Sequence, residues 1–344
     1  MVWSLRLIDV FWVVSLPVSL LYAAWMNLRR HFWKIRYQPR CFSIVIGNIH
    51  LGGTGKTPAV MALARQLSGK IAVLSRGYRG ECELTGAKVD PEHEQAARLY
   101  GDEPVQIALA GTADVYVGAN RKRIFQQWIE PKKYDTVIMD DGFQHLNVRA
   151  QLQLVLFPVR EMNWGRYTLP MGQLREPVNA IGSSDAILLT HWQSSFETIE
   201  STRAWLGQRF PNLPLFDVKL YSSGFFLSNS IETEIKDKKL VAFCGLANPG
   251  SFRECLKDHP RISLVSPFRD HHRYHENDIQ RLVNYKNKLG AEGFVTTEKD
   301  WVKVGSRLGS LQEKVYVLRS ECEIESSFWP FLESKRGNID ATAD

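Results

Sequence analysis

Residues 43–58 read SIVIGNIHLGGTGKTP, and the parsing of this stretch decides the fold. Ser43 to Ile49 is a continuous apolar run, rich in β-branched side chains, as a parallel strand buried on both faces requires. TPAVMALARQL, residues 57–67, spaces its apolar side chains as a helix does. Between them lies a turn dense in glycine. In a unit of strand, glycine turn and helix, successive backbone N–H groups and the positive helix end cradle phosphate. Gly52, Gly53, Thr54 and Gly55 form that cradle. Lys56 then reaches the β and γ oxygens of a nucleotide such as ATP, and Thr57 offers its hydroxyl to Mg²⁺. The first glycine of G-x-x-x-x-G-K-[ST] would fall at His50, so the loop is a GG-x-GK-T variant with Gly47 and Gly52 on either side. Membrane-partitioning ATPases share that variant, and the loop by itself does not specify a kinase.

A carboxylate on a neighbouring strand has to complete such a site. YDTVIMDDGFQH, residues 134–145, supplies two, because the apolar run ends in Asp140, Asp141 and Gly142. Carboxylates at a strand's C-terminal end face the crevice where doubly wound sheets bind ligands, so one of this pair is expected on Mg²⁺. An Asp-Asp-Gly turn without function is the plainer reading, and the nearby phosphate loop argues against it. Further alternating units (KIAVLSRG, ADVYVGANRKRIFQQWI, QLQLVLFP, SDAILLTH) imply a mostly parallel, doubly wound α/β sheet covered on both faces. After His191 the pattern weakens until LFDVKLYSSGFFLSN, then resumes as a smaller α/β unit. The expected division is an N-terminal helix and basic flank at 1–35, a phosphate-loop domain at 36–214, a two-stranded connection at 215–238 and a C-terminal α/β domain at 239–344, with a tail frayed from Lys335.

Composition sets the wider frame. The 344 residues are 44% hydrophobic and 23% charged, enough for two cores, with a net charge of +6. Five cysteines without a CxxC pair signal neither a disulfide framework nor structural zinc, and fit a reducing cytosol. Ile8 to Met26 carries one charge, Asp9, and as a helix would span about 28 Å, near the thickness of a bilayer core. A membrane helix is expected, kinked at Pro17; Ser15, Ser19 and Tyr22 share one side, so a helix lying in the interface or packed on the protein stays open. Arg29, Arg30, Lys34, Arg36 and Arg40 follow it, which points to an anionic surface and a cytoplasmic body; nucleic acid is not favoured.

GNIHLGGTGKTP, LSRGYRG, GDEP, VGANR, MDDGFQH, GQLREP, FCGLANP, FRDHHRY and TTEKDW run in order from Gly47 to Trp301. Together they resemble the tetraacyldisaccharide 4'-kinases of lipid A biosynthesis. The resemblance implies transfer of the γ-phosphate of ATP to the 4'-hydroxyl of a tetraacylated glucosamine disaccharide 1-phosphate, giving lipid IVA, by a monomer on the cytoplasmic face of the inner membrane. It implies that Asp102 accepts the hydroxyl proton, where spacing alone suggests a helix N-cap, and that His271 pairs with Asp102 and raises its basicity. His272 is the fallback. His271 and His275 lie four apart, yet no third ligand of suitable spacing supports zinc.

Arg175 and Arg121 are candidates for gripping phosphate or steadying transition-state charge, or are ordinary surface arginines. Tyr78 and Arg76 are candidate substrate contacts, and Glu103 either holds Mg²⁺ or positions Asp102. Gln144 and His145 have no role arguable from sequence. Asp102 and His271 are expected to meet only on domain closure. The competing class is a membrane-associated ATPase that positions or transports and phosphorylates nothing. Leu51, where such ATPases carry lysine, and the GDEP and DHH segments speak against it.

Overall fold

The structure, a computed structural model, describes residues 7–32, 37–159, 167–192, 194–227, 231–232, 234–235, 237–246, 249–259, 261–264, 268–311 and 313–340. In chain order, α1 (Leu7–Phe32) precedes β1 (Phe42–Asn48), α2 (Lys56–Gln66), β2 (Ile71–Ser75), β3 (Ala87–Lys88), α3 (Ala96–Tyr100), α4 (Asp102–Leu109) and β4 (Asp114–Val117). There follow α5 (Arg121–Ile124), β5 (Thr136–Asp140), β6 (Leu152–Pro158), β7 (Ala186–Trp192), α6 (Phe196–Arg209), β8 (Leu215–Leu227) and β9 (Ile231–Glu232). The chain closes with β10 (Leu240–Ala242), α7 (Pro249–Cys255), β11 (Ile262–Leu264), α8 (Glu276–Leu289), β12 (Gly293–Thr297), α9 (Glu298–Ser310), β13 (Val315–Ile324) and α10 (Phe328–Asp340).

One mixed sheet runs through the described chain in the order β11-β10-β12-β13-β8-β7-β6-β1-β5-β2-β4-β3. Strands β8 to β4 of this order are parallel, as are β11 to β13, and antiparallel β8 and β13 join the two halves. All seven residues of β1 and all five of β2 and β5 are buried, which explains their unbroken apolar reading. Each half carries a core on both faces of its sheet.

The connection at 215–238 holds two strands that pair with each other, β8 and β9, but β8 does more than connect. β8 is a single long strand whose first half pairs with β7 (Ile187↔Leu215) and whose second half pairs with β13 (Tyr316↔Leu227), a partner distant in sequence. Only the short β9 comes from the same stretch. A pattern of alternation identifies a strand and says nothing about where its partner lies. The chain end differs as well. Phe328 and Leu332 of α10 pack with Phe216 in the phosphate-loop half, so the chain returns to that half, and the helix extends past Lys335 to Asp340. Residues 341–344 lie outside the described residues.

Of the arrangements left open for the expected membrane helix, the structure does not support crossing. Among the described residues no helix is long and apolar enough to cross a membrane. α1 runs through Pro17 without a break and packs on the phosphate-loop half by the stripe Ser15, Ser19, Tyr22 and Met26. Ser19 Oγ donates to Thr168 O (2.8 Å) and accepts from Met171 N (2.9 Å), while Thr168 Oγ1 donates back to Ser19 O (2.8 Å). Tyr22 OH donates to Arg175 O at 2.9 Å. Two of the five basic residues are drawn inward too. Arg29 donates to Gln144 O (3.1 Å), and Arg30 pairs with buried Glu176, donates to Phe143 O (3.1 Å) and stacks on the Phe143 ring. Arg40 is exposed; Lys34 and Arg36 lie outside the described residues. The other side of α1 exposes Leu20, Leu21, Trp25, Leu28 and Phe32.

Candidate active site

The glycine turn leaves β1 at Asn48 and enters α2 at Lys56, with Gly52 (φ 86°) and Gly55 (φ 82°) in the left-handed region that disfavours a side chain. Gly47 lets β1 approach the next loop, since a Cβ there would lie 2.4 Å from Phe143 Cβ. The turn is braced from outside: Leu51 N donates to Gln173 O (2.8 Å), Arg175 N donates to Ile49 O (2.7 Å) and Asn48 Nδ2 donates to the buried Thr54 hydroxyl (2.6 Å). Thr54 therefore has backbone, not side chain, to offer a ligand, whereas the space around Gly53 is open. Thr57, in the first turn of α2, is half-buried.

At the end of β5, Asp140 and Asp141 occupy different environments. Asp140 is 1% exposed; its Oδ2 accepts from Ser75 Oγ at 2.9 Å and its buried Oδ1 has no hydrogen-bond partner. Burial, reinforced by nearby Glu103, pushes its carboxyl up to about 6. Asp141 adopts φ 49°, and its carboxylate pairs with Lys56 Nζ (3.0 Å) and Arg175 Nη1 (3.1 Å). Partial burial acts to raise its pKa, but the two cations outweigh it and hold the group down at about 2. An orphaned buried oxygen is costly unless a cation or donor meets it. Asp140 thus fits a Mg²⁺ ion better than Asp141, whose oxygens are already engaged.

Arg121 lies beneath this site. It is 2% exposed, its Nη2 donates to Asp140 O at 2.6 Å and its Nη1 donates to Leu74 O, which ties the ends of β2 and β5 together. Burial lowers its guanidinium to about 10. His145, crowded by burial and by Arg121 and Arg76, is pushed down to about 4, and Gln144 Nε2 donates to Asn48 O at 2.8 Å. Arg76 pairs with Glu83 at 2.6 Å, and Tyr78 is half exposed.

Gly101 (φ 90°) holds the N-cap position of α4, so Asp102 is the first helical residue and not the cap. A Cβ on Gly80 would lie 2.8 Å from Gly101 N, which shows how closely the SRGYRG loop packs there. Asp102 is 7% exposed, and both its oxygens face His271 Nδ1, at 3.2 and 3.1 Å. His271 (φ 55°) stands in the loop before α8, with the Tyr78 ring edge-on at 5.7 Å. His272 is spent elsewhere: it stacks on Phe268 and its Nε2 meets Asp278 Oδ2 at 2.9 Å, at the start of α8.

Two expectations need correcting here. Asp102 and His271 are already in contact in this conformation, with no further closure; α4 lies against α9, whose Lys299 and Lys303 reach His271 and Asp102. His271 also does not raise the basicity of Asp102. Burial works in that direction, but the hydrogen bond from His271 and the Lys299 and Lys303 ammoniums prevail and hold the carboxyl at about 2.

Lys299, within the TTEKDW stretch, and Lys303, one turn further along α9, have no role in the sequence reading. Lys299 Nζ lies 3.0 Å from Asp270 Oδ1 and 3.7 Å from Glu103 Oε1, and Lys303 Nζ lies 3.8 Å from Asp102 Oδ2. Their i, i+4 spacing after the Thr297 cap was the available signal. Glu103 is turned toward Lys299. Among the described residues no group of three or more His, Cys, Asp or Glu could hold a metal alone. That suits Mg²⁺, which is typically bound by one or two carboxylates together with phosphate oxygens.

The family described as tetraacyldisaccharide-1-P 4'-kinase matches residues 11–336. The tetraacyldisaccharide 4'-kinase of Desulfotalea psychrophila is 34% identical over 93% of this chain and 95% of its own length. That of Syntrophobacter fumaroxidans is 36% identical over 90% of this chain and 83% of its own. A crystal structure of LpxK from Aquifex aeolicus, described as an "apo" form in complex with ATP, superposes with a TM-score of 0.69 at 25% identity, over 94% of this chain and 98% of that one.

Proposed function

The chain belongs to the tetraacyldisaccharide 4'-kinase family, and from that premise we propose how its residues divide the work. The reaction is transfer of the γ-phosphate of ATP to the 4'-hydroxyl of tetraacyldisaccharide 1-phosphate, giving lipid IVA. Phosphoryl transfer asks for alignment and charge neutralisation more than for covalent help. The backbone of residues 52–57 cradles the terminal phosphates of ATP, with Lys56 on the β and γ oxygens. Asp140 and Thr57 hold Mg²⁺, which when bound neutralises charge on the phosphate oxygens. Asp141 aims Lys56 and Arg175 at the transferring group. Arg121 supports Asp140 from below and does not itself meet the nucleotide.

Asp102 receives the proton of the 4'-hydroxyl. A carboxylate held at about 2 is a weak base, so the proton moves late, once the new P–O bond has made the hydroxyl acidic. Tyr78 and Arg76, at the open side, contact the disaccharide. The observation that carries this assignment is that buried Asp102, at the start of α4, turns both carboxylate oxygens to His271 Nδ1 at 3.2 and 3.1 Å with the Lys303 ammonium 3.8 Å away, an arrangement that keeps it ionised as an acceptor.

The outward face of α1 supports an interfacial role, with Leu21 (71% exposed), Trp25 (62%) and Phe32 (70%) entering the cytoplasmic leaflet of the inner membrane and the polar stripe kept on the protein. A monomer suffices for this arrangement. The test is incubation of the full-length protein with labelled ATP, Mg²⁺ and the lipid disaccharide. Label is expected on the lipid, and Asp102→Asn should lower kcat by about 10²-fold or more with KM for ATP nearly unchanged. Phosphate released only to water at a lipid-independent rate would favour the positioning ATPase instead. Full activity of Asp102→Asn would remove Asp102 as the base.

A further inference from the structure

We propose that Lys299 is a positioning residue that occupies Nε2 of His271 and keeps the ring neutral, so that, with the Nδ1 proton turned to Asp102, the carboxylate is the only acceptor for the substrate's proton. The inference rests on the assignment of Asp102 as base and goes beyond it to why the neighbouring imidazole is not the base.

The argument is one of donors and acceptors. Lys299 Nζ lies 3.1 Å from His271 Nε2. An ammonium only donates, so this contact requires the Nε2 lone pair. A neutral imidazole has one N–H and one lone pair, and its proton must then be on Nδ1, the atom facing both Asp102 oxygens. An imidazolium would set an N–H against the ammonium. Lys299 is held as a cation: its 16%-exposed side chain pays for burial, but Asp102, Glu103 and Asp270 more than compensate and raise its pKa.

The placement of Lys299 is built in. Thr297 caps α9 by accepting from Asp300 N (3.2 Å), and buried Asp300 accepts from Gly245 N (2.8 Å) and Tyr274 OH (3.0 Å). Asp270 receives Lys299 Nζ (3.0 Å) and, through the same Oδ1, the backbone N–H of His271 (3.0 Å). One aspartate therefore holds both the left-handed His271 backbone and the ammonium beside its ring. The charged and titratable groups facing this pair are Asp102 and Glu103 from α4, Asp270 from the loop, Lys303 from α9 and Tyr78 from the loop after β2.

With Nε2 occupied, the ring has no lone pair to offer a hydroxyl. As the sugar oxygen forms its bond to the γ-phosphorus and the bond to the β-bridging oxygen breaks to leave ADP, the hydroxyl O–H bond breaks and a new O–H bond forms on Asp102. The imidazole stays neutral throughout.

The test uses full-length protein labelled with ¹⁵N-histidine, with His271→Gln identifying the signals of residue 271. The wild type is expected to show the Nδ1–H form. Lys299→Met is expected to shift residue 271 to the doubly protonated form and to lower kcat about 10- to 100-fold, with KM for ATP unchanged. Lys299→Arg keeps a donor and should retain the Nδ1–H signature. An Nε2–H ring in the wild type, or an unchanged Nδ1–H signature in a folded Lys299→Met, overturns the proposal; the wild-type spectrum decides it even if the methionine variant does not fold. Because the tautomer is read without turnover, failure of this proposal is separable from failure of Asp102 as base, which the kinetics of Asp102→Asn measure.

Discussion

Replacing Asp140 by asparagine should stabilise the metal-free protein while destroying its activity, by an amount that grows with pH. The carboxyl goes from an ordinary value of 3.8 to about 6 on folding, chiefly because burial at 1% exposure penalises its charge. A carboxyl raised in this way favours the folded state most when protonated. Its penalty is absent below about pH 3.8, grows as pH rises and is complete once pH has passed about 6. Linkage gives a cost of about 3 kcal/mol at pH 8, roughly half of that at pH 5 and only a small remainder at pH 4. Asparagine keeps an acceptor for Ser75 Oγ and removes the charge. Chemical denaturation in the presence of a chelator should therefore show Asp140→Asn more stable than wild type by about 3 kcal/mol at pH 8, with the gap nearly closed at pH 4. Lipid phosphorylation should be lost at every pH. A variant no more stable than wild type at pH 8, or a gap that does not change with pH, would show that the buried charge is compensated by something other than an incoming metal.

Two further changes probe the frame around the site. Gly47→Ala places a methyl 2.4 Å from Phe143 Cβ and 2.9 Å from Phe143 N, so the turn after Asp141 has to move; a loss of about 1–3 kcal/mol in denaturation is expected, together with weaker nucleotide binding by calorimetry. Leu21→Ser combined with Trp25→Ser removes two of the most exposed apolar side chains of α1 without touching the stripe that docks it. Sedimentation with anionic vesicles should show partition falling about tenfold or more, with helix content unchanged by circular dichroism; undiminished partition would mean that α1 does not lie in the bilayer.

Much of the site was legible because its signals are local. The phosphate loop and the Asp140-Asp141 pair follow from periodicity and from neighbours a few residues apart, and the structure places them as β1, α2 and the end of β5. The start of α4 illustrates the limit. Asp102 reads as a cap from its neighbours, but Gly101 takes that position because its positive φ lets the SRGYRG loop pack against it. Arg121 likewise reads as a surface or phosphate-binding arginine, and its burial under Asp140 depends on how β2 and β5 pair.

Sequence by itself determined the α/β class, the nucleotide cradle, the carboxylate pair and the family. Tertiary structure alone decided that α1 docks through serines and arginines, that Asp140 rather than Asp141 keeps a free oxygen, and that Lys299 meets His271. The physical reason is one of range. Backbone conformation and amphipathic spacing are set by residues within a turn or two, whereas charge balance and hydrogen-bond partners at Asp102 depend on a histidine 169 positions away, brought there only when the two halves of the sheet pack together.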